Sequence, residues 1–135
     1  MITYTHELRV AYADTDQMGY VYYGNYARYF EIARTEALRS IGISYAKMES
    51  EGTMMPVTNY SVKYVKAALY DEVIAITVSI NEIPDRFLVF HYQAENKRHE
   101  KLCEAEIRLA FVDSKTMKIS RAPKYLVDAI KEKLV

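Results

Sequence analysis

The chain has 135 residues, about one domain's worth, and half of them are apolar, enough for a full core. Its 18 acidic residues balance 18 basic ones, which excludes the single-sign field that recruits nucleic acid or an anionic membrane surface. The opening MITYTHELRV is too polar for a signal peptide, no apolar run could span a bilayer, and neither an RNA-recognition signature nor a basic stripe with interleaved aromatics occurs.

In chain order, residues 5–12 read as a strand, with His6, Leu8, Val10 and Tyr12 on one side and Glu7, Arg9 and Ala11 on the other. The segment ADTDQMGY follows, whose Asp, Thr and Gly favour turns and local side-chain-to-backbone hydrogen bonds. From Tyr23 the period changes: Tyr26, Phe30, Ala33, Ala37 and Ile41 recur every three or four residues, marking one face of a long helix that Gly42 stops. SYAKMESEG adds a helical turn or two before Gly52. Beyond Pro56, four strands are expected: VTNYSVKYVK, VIAITVSINEI, DRFLVFHYQAEN and LCEAEIRLAFVD. The last of these should turn Cys103, Ala105, Ile107, Leu109 and Phe111 inward and Glu104, Glu106 and Arg108 outward. Pro123 can start a final helix with Leu126, Ile130 and Leu134 on one stripe.

Glycine and proline are scarce, at four and three, and no repeat or linker interrupts the chain, so residues 1–135 are expected to form a single domain. Three consecutive strands with short connections must be antiparallel. The helix is too apolar on one face to stand in water and must lie on the sheet. The expected class is α+β, one long helix wrapped by a curved antiparallel sheet. Thirteen tyrosines and no tryptophan suit half-buried interfaces and pocket walls. The one cysteine, Cys103, cannot form an internal disulfide, which fits a reducing cytoplasm. None of His6, His91 and His99 has metal-ligand spacing with a partner, so no metal site is expected.

A helix beginning near Tyr22–Gly24 carries unpaired N–H groups and the positive end of its dipole. Aimed at a carbonyl, they would stabilise an oxyanion. Gly24 would let a substrate approach the backbone, and Asp16, seven residues before Tyr23, could return its carboxylate to those donors across the Gly19 turn. That pairing suits a thioester: its leaving thiol has a pKa of about 8.5 and departs without a strong acid. Spacing alone favours a purely structural turn over a catalyst, with Asp14 or Asp16 bonded to a nearby N–H and nothing more. A calcium loop fits worse, because Tyr20 and Tyr22 occupy later ligand positions.

The segment RVAYADTDQMGYVYYGNYARYFEIAR decides between these readings. It closely resembles the opening of the hotdog-fold acyl-CoA thioesterases of the 4-hydroxybenzoyl-CoA thioesterase-like family, whose close relatives include the Tol–Pal-associated bacterial thioesterases. PVTNYSVKYVKAALYDEV is similar to that family's second strand, with Ala67 where proline is common. The resemblance covers nearly the whole chain. It implies a five-stranded antiparallel sheet around one long helix, here with an added C-terminal helix, in a homodimer that often pairs into a homotetramer. It also implies active sites at the subunit interface, a cytoplasmic enzyme and no cofactor, since coenzyme A is part of the substrate. Carried over by position, Asp16 is the catalytic carboxylate and the backbone N–H of Tyr23 the donor to the thioester oxygen. Asn25 and Tyr26 support the helix entrance, and Asp14 shapes the loop. The Tol–Pal-associated relatives often have histidine where this chain has Tyr23. Met54, Met55, Val57 and Tyr60 are candidates for the acyl pocket. Arg86 is the candidate for the coenzyme A phosphates, with Lys63, Lys66, Lys97, Arg98 and Lys101 as alternatives. Two other functions remain open on such a fold: a hydratase or dehydratase of acyl thioesters, and a module that binds acyl-CoA without cleaving it.

Overall fold

The long helix is present as α1 (Tyr26–Ser40), entered through a 3-10 turn at Tyr23–Asn25. It buries Tyr26, Tyr29, Phe30, Ala33, Ala37 and Leu38, and each large side chain so removed from water stabilises the fold by about 1.5–3 kcal/mol. A Schellman motif ends it: Gly42 N–H donates to Arg39 O and Ile43 N–H to Leu38 O, with Gly42 at φ 83°. The short helix α2 (Tyr45–Ser50) follows, its first turn capped by Ser44 Oγ accepting from Lys47 N–H at 3.2 Å. The structure, a computed structural model, describes residues 1–134.

Strands β1 (Ile2–Arg9), β3 (Val57–Tyr64), β4 (Val73–Ile80), β5 (Phe87–Glu95) and β6 (Lys101–Ala110) form one antiparallel sheet in the order β1-β4-β5-β6-β3. Two short strands, β2 (Thr53–Met54) and β7 (Val112–Asp113), pair separately. The helix α3 (Lys124–Lys133) closes the described chain, with Leu126 and Ile130 fully buried. The strand period decides which side faces α1. Ile74, Ile76, Val78 and Ile80 of β4, Leu88, Phe90, Tyr92 and Ala94 of β5, and Cys103, Ala105, Ile107 and Leu109 of β6 join the helix in one buried cluster. Phe30 at the centre of α1 stacks on Tyr92, centroids 4.6 Å apart.

One expectation needs correction. The first strand runs over Ile2–Arg9 and not 5–12: a 3-10 turn at Tyr12–Asp14, closed by Thr15 N–H to Tyr12 O at 3.1 Å, ends the alternation. Tyr12 is therefore 77% exposed, edge-on to Tyr70, and not on the inward side with His6, Leu8 and Val10. The third strand pairs with β6 at the far edge, so the chain crosses the sheet between β3 and β4. This leaves β3 nearly uncovered, with Val57, Tyr60 and Tyr64 exposed. Among the described residues no helix is long and apolar enough to cross a membrane.

Candidate active site

The two aspartates of the DTD segment have different surroundings. Asp14 is buried. Its carboxylate accepts from Arg28 Nη2 at 2.5 Å and Tyr29 Oη at 2.7 Å, both on α1. Its carbonyl accepts from Tyr22 N–H and from Asn25 Nδ2, each at 2.9 Å. Asp14 and Asn25 thus lock the loop onto the helix entrance. Asp16 sits in a tight turn, where Gly19 N–H donates to Asp16 O and Asp16 N–H to Tyr20 O, with Gly19 at φ 77°. Asp16 Oδ1 accepts from Met18 N–H at 2.9 Å, and Oδ2 has no protein partner among the described residues. The structural turn and a free carboxylate oxygen therefore coexist in one side chain.

The helix end beside it is uncapped. Neither Tyr22 nor Asn25 makes a side-chain capping bond. Asn25 N–H is taken up by Tyr22 O, which leaves the Tyr23 and Gly24 amides as the first-turn donors without an intrahelical acceptor. Asp16 and Tyr23 line one open cavity of about 270 Å³, together with Tyr20, Tyr26, Tyr64 and Lys66. The hydroxyl of Tyr64 donates to Tyr23 O at 3.3 Å, tying the edge strand to the helix tip. Tyr26 is 3% exposed and edge-on to Tyr29, and burial holds its phenol well above the ordinary value. The Tyr22 phenol is also raised, first by its interaction with the Tyr23 hydroxyl and least by the charge of Asp16. A Cβ on Gly24 would meet the Tyr22 ring at 2.8 Å, so glycine here makes room for that ring beside the exposed amides.

The basic residue that lines this cavity, Lys66, is not the one singled out from sequence. Lys66 and Arg98 both pair with Glu100, Arg98 Nε at 2.7 Å, and these cations, Lys66 first, hold the Glu100 carboxyl down at about 2. Lys97 pairs with Glu7 and Lys101 with Glu104, while Lys63 lies on the outer face of the sheet. Arg86 is exposed just before β5, where Phe87 stands opposite Ala110. Ala94, opposite Cys103, is seven residues further along and marks the cavity end, since Tyr64 also pairs with Cys103. That places Arg86 roughly 20 Å along the sheet from Asp16 of the same chain.

The remaining candidates spread along β3 away from the cavity. Tyr60 packs against Phe30, centroids 6.4 Å apart, with its phenol pushed up to about 12, chiefly by burial. Met55 is buried, and Val57 is exposed at the start of β3. Tyr64 was not singled out from sequence, although it shares the period-2 face of Tyr60. No cluster of three or more metal-ligating side chains is present among the described residues.

A five-stranded antiparallel sheet around one long helix, with a further helix at its C-terminal end, is the hotdog architecture. The family model of the thioesterase-like superfamily matches residues 10–134, and the chain belongs to that superfamily. It is 34% identical over 125 residues to the acyl-CoA thioester hydrolase YbgC of Escherichia coli O157:H7, covering 93% of each chain. It is 30% identical over 122 residues to the acyl-CoA thioesterase YbgC of Haemophilus influenzae, covering 90% of this chain and 89% of that one. The solved DHNA-CoA thioesterase of Staphylococcus aureus superposes with a TM-score of 0.92 at 32% identity, covering 98% of this chain and 91% of that one.

Proposed function

We propose that the chain hydrolyses acyl-CoA thioesters to a carboxylate and free coenzyme A. The observation that carries this reading is the shared cavity of Asp16 and the uncapped helix tip at Tyr23. A thioester carbonyl seated there would point its oxygen at the Tyr23 N–H, where the helix dipole and the unpaired donor stabilise the charge that develops on attack. The free oxygen of Asp16 then acts in one of two ways. As nucleophile it forms an acyl–Asp16 mixed anhydride and expels the thiolate, and water hydrolyses the anhydride. As general base it takes a proton from the water that attacks the carbonyl. Either way the sulfur leaves as a thiolate, so no acid partner is needed. The absence of histidine from the DTD-to-helix segment favours hydrolysis over hydration of an enoyl thioester, which needs an acid/base pair.

Two further parts of the reading follow from the surroundings. The uncovered edge strand β3, with Val57, Tyr60 and Tyr64 exposed, is a surface for a second copy, which would close the cavity from outside; the homodimer, and its pairing into a tetramer, belong to this proposal, as does a cytoplasmic setting. For the phosphates of coenzyme A, Lys66 lines the cavity within one chain and Arg98 shares its Glu100 partner, whereas Arg86 would serve a site on another copy.

Thiol release from short, medium, long and aromatic acyl-CoAs, and from acyl carrier protein thioesters, tests the reading. Asp16→Asn should lower turnover about 10²–10⁴-fold with folding and oligomeric state intact. Near-normal hydrolysis by that variant removes Asp16 from the chemistry. Tight binding without thiol release favours a binding module, and water addition to an enoyl-CoA favours a hydratase. Acyl label retained on the protein in a single turnover distinguishes the anhydride route from the general-base route.

A further inference from the structure

A helix N-terminus is ordinarily held by a side chain that accepts from its first N–H groups. At the tip of α1 such a cap would fill the donors left open beside Asp16, and none is made. The tip is held by its carbonyls instead. Tyr22 O accepts from Asn25 N–H at 2.9 Å. Tyr23 O accepts from Tyr26 N–H and, at 3.3 Å, from the Tyr64 hydroxyl. Behind them, Tyr22 N–H donates to Asp14 O. Of these bonds the one from Tyr64 alone comes from the sheet; the others are made by the loop and by the first turn itself.

The local structure places Tyr64 to deliver that bond. It is the last residue of β3 and stands opposite Cys103 of β6. Directly beyond it, Val65 N–H and Lys66 N–H both donate to Leu102 O, at 2.8 and 3.0 Å, which fixes where the strand ends. The Tyr64 ring lies against that of buried Tyr26, centroids 5.5 Å apart. Tyr64, Tyr23 and Asp16 line the same cavity. The N–H and C=O of Tyr23 belong to successive planar peptide units joined at one Cα, so a bond to the oxygen restrains the swing of the N–H. A donor that is already aimed stabilises developing charge better than one that must reorient.

We propose that Tyr64 is the positioning residue of the thioester-binding amide: its hydroxyl, on Tyr23 O, keeps the Tyr23 N–H aimed where the oxyanion develops. The inference rests on the thioesterase reading for the role of that amide. Tyr64 acts through the amide and not on the substrate. Its effect on turnover is therefore that of one neutral hydrogen bond, about 3–10-fold, and not the 10²–10³-fold of roughly one whole oxyanion donor.

Tyr64→Phe removes the hydroxyl and keeps the ring against Tyr26. Its kcat should fall about 3–10-fold with KM within about twofold of wild type, since the interaction lost serves the transition state. In a Tyr23→Pro background, which has no N–H to steady, the same substitution should change kcat less than about twofold. Nitrogen-15 relaxation of the Tyr23 amide gives a readout that needs no turnover. Its order parameter should drop in Tyr64→Phe from the rigid range, about 0.85, toward the flexible one, below about 0.6. Unchanged kcat, a loss confined to KM, or an unchanged Tyr23 order parameter overturns the proposal. An equal loss in both backgrounds also overturns it, because the phenol would then act on the substrate directly. A drop in the order parameter with no thiol release from wild type upholds the anchor and overturns the hydrolytic reading alone.

Discussion

Removing the carboxylate of Asp14 should unfold the helix entrance's anchor, whereas removing that of Asp16 should cost little stability. Asp14→Ala deletes two hydrogen bonds to a buried carboxylate, from Arg28 at 2.5 Å and Tyr29 at 2.7 Å. A bond to a charged group contributes about 1.5–3 kcal/mol. The Tyr29 bond should be lost at full value, because Tyr29 is 2% exposed and its hydroxyl would be left unpaired. The Arg28 bond is discounted to about 1 kcal/mol or less, since that side chain is 53% exposed and returns to water. The sum is about 3 kcal/mol, or a fall in Tm of roughly 10 °C for a chain of this size. Asp16 has only the Met18 N–H at a surface turn, so Asp16→Ala should cost about 1 kcal/mol or less. Urea unfolding followed by circular dichroism, at equal protein concentration, reads both. Asp14→Ala within about 0.5 kcal/mol of wild type, or Asp16→Ala as damaging as Asp14→Ala, would refute the division of labour between the two aspartates.

Other outcomes follow from individual residues. Gly42 holds φ 83° with nothing within 4 Å of an added Cβ, so Gly42→Ala should lose about 1–2 kcal/mol from backbone strain alone, measured by the same unfolding assay. Burial raises the phenol of Tyr92 from 10.0 to about 12 and the Cys103 thiol from 9.0 to about 12. The folded state thus holds protons that the unfolded chain has lost. That stability is complete below pH 9 and disappears as pH rises through about 12, by roughly 3 kcal/mol from Tyr92 alone. A stability profile flat across this range would contradict the burial of these groups.

The sequence revealed most of the fold because the decisive signals were periodic. The spacing of Tyr26, Phe30, Ala33 and Ala37 and the alternation of Cys103, Ala105, Ile107 and Leu109 each stated which side faces the core, and all eight are buried. The crossing of the chain between β3 and β4 was not legible, since alternation fixes a strand's faces and not its neighbours. The end of β1 was missed because Tyr12 keeps the period-2 pattern into a turn fixed by backbone hydrogen bonds. At the site, the DTD segment marked both aspartates, yet their different surroundings depend on Arg28 and Tyr29 arriving one turn into α1. Lys66 and Arg98, 32 residues apart in the chain, meet only through the pairing of β3 with β6 and their shared Glu100.

The central claim is that a backbone amide, not a side chain, holds the thioester oxygen. Tyr23→Pro tests it most directly, because proline deletes that N–H alone. The site tolerates it: Tyr23 opens the helical turn, Tyr22 before it is already extended at φ −62° and ψ 130°, and the Tyr23 side chain is 63% exposed. Steady-state thiol release should fall about 10²–10³-fold in Tyr23→Pro with the unfolding midpoint little changed, while Tyr23→Phe, which keeps the amide, stays close to wild type. Wild-type turnover by a folded Tyr23→Pro protein would contradict the account.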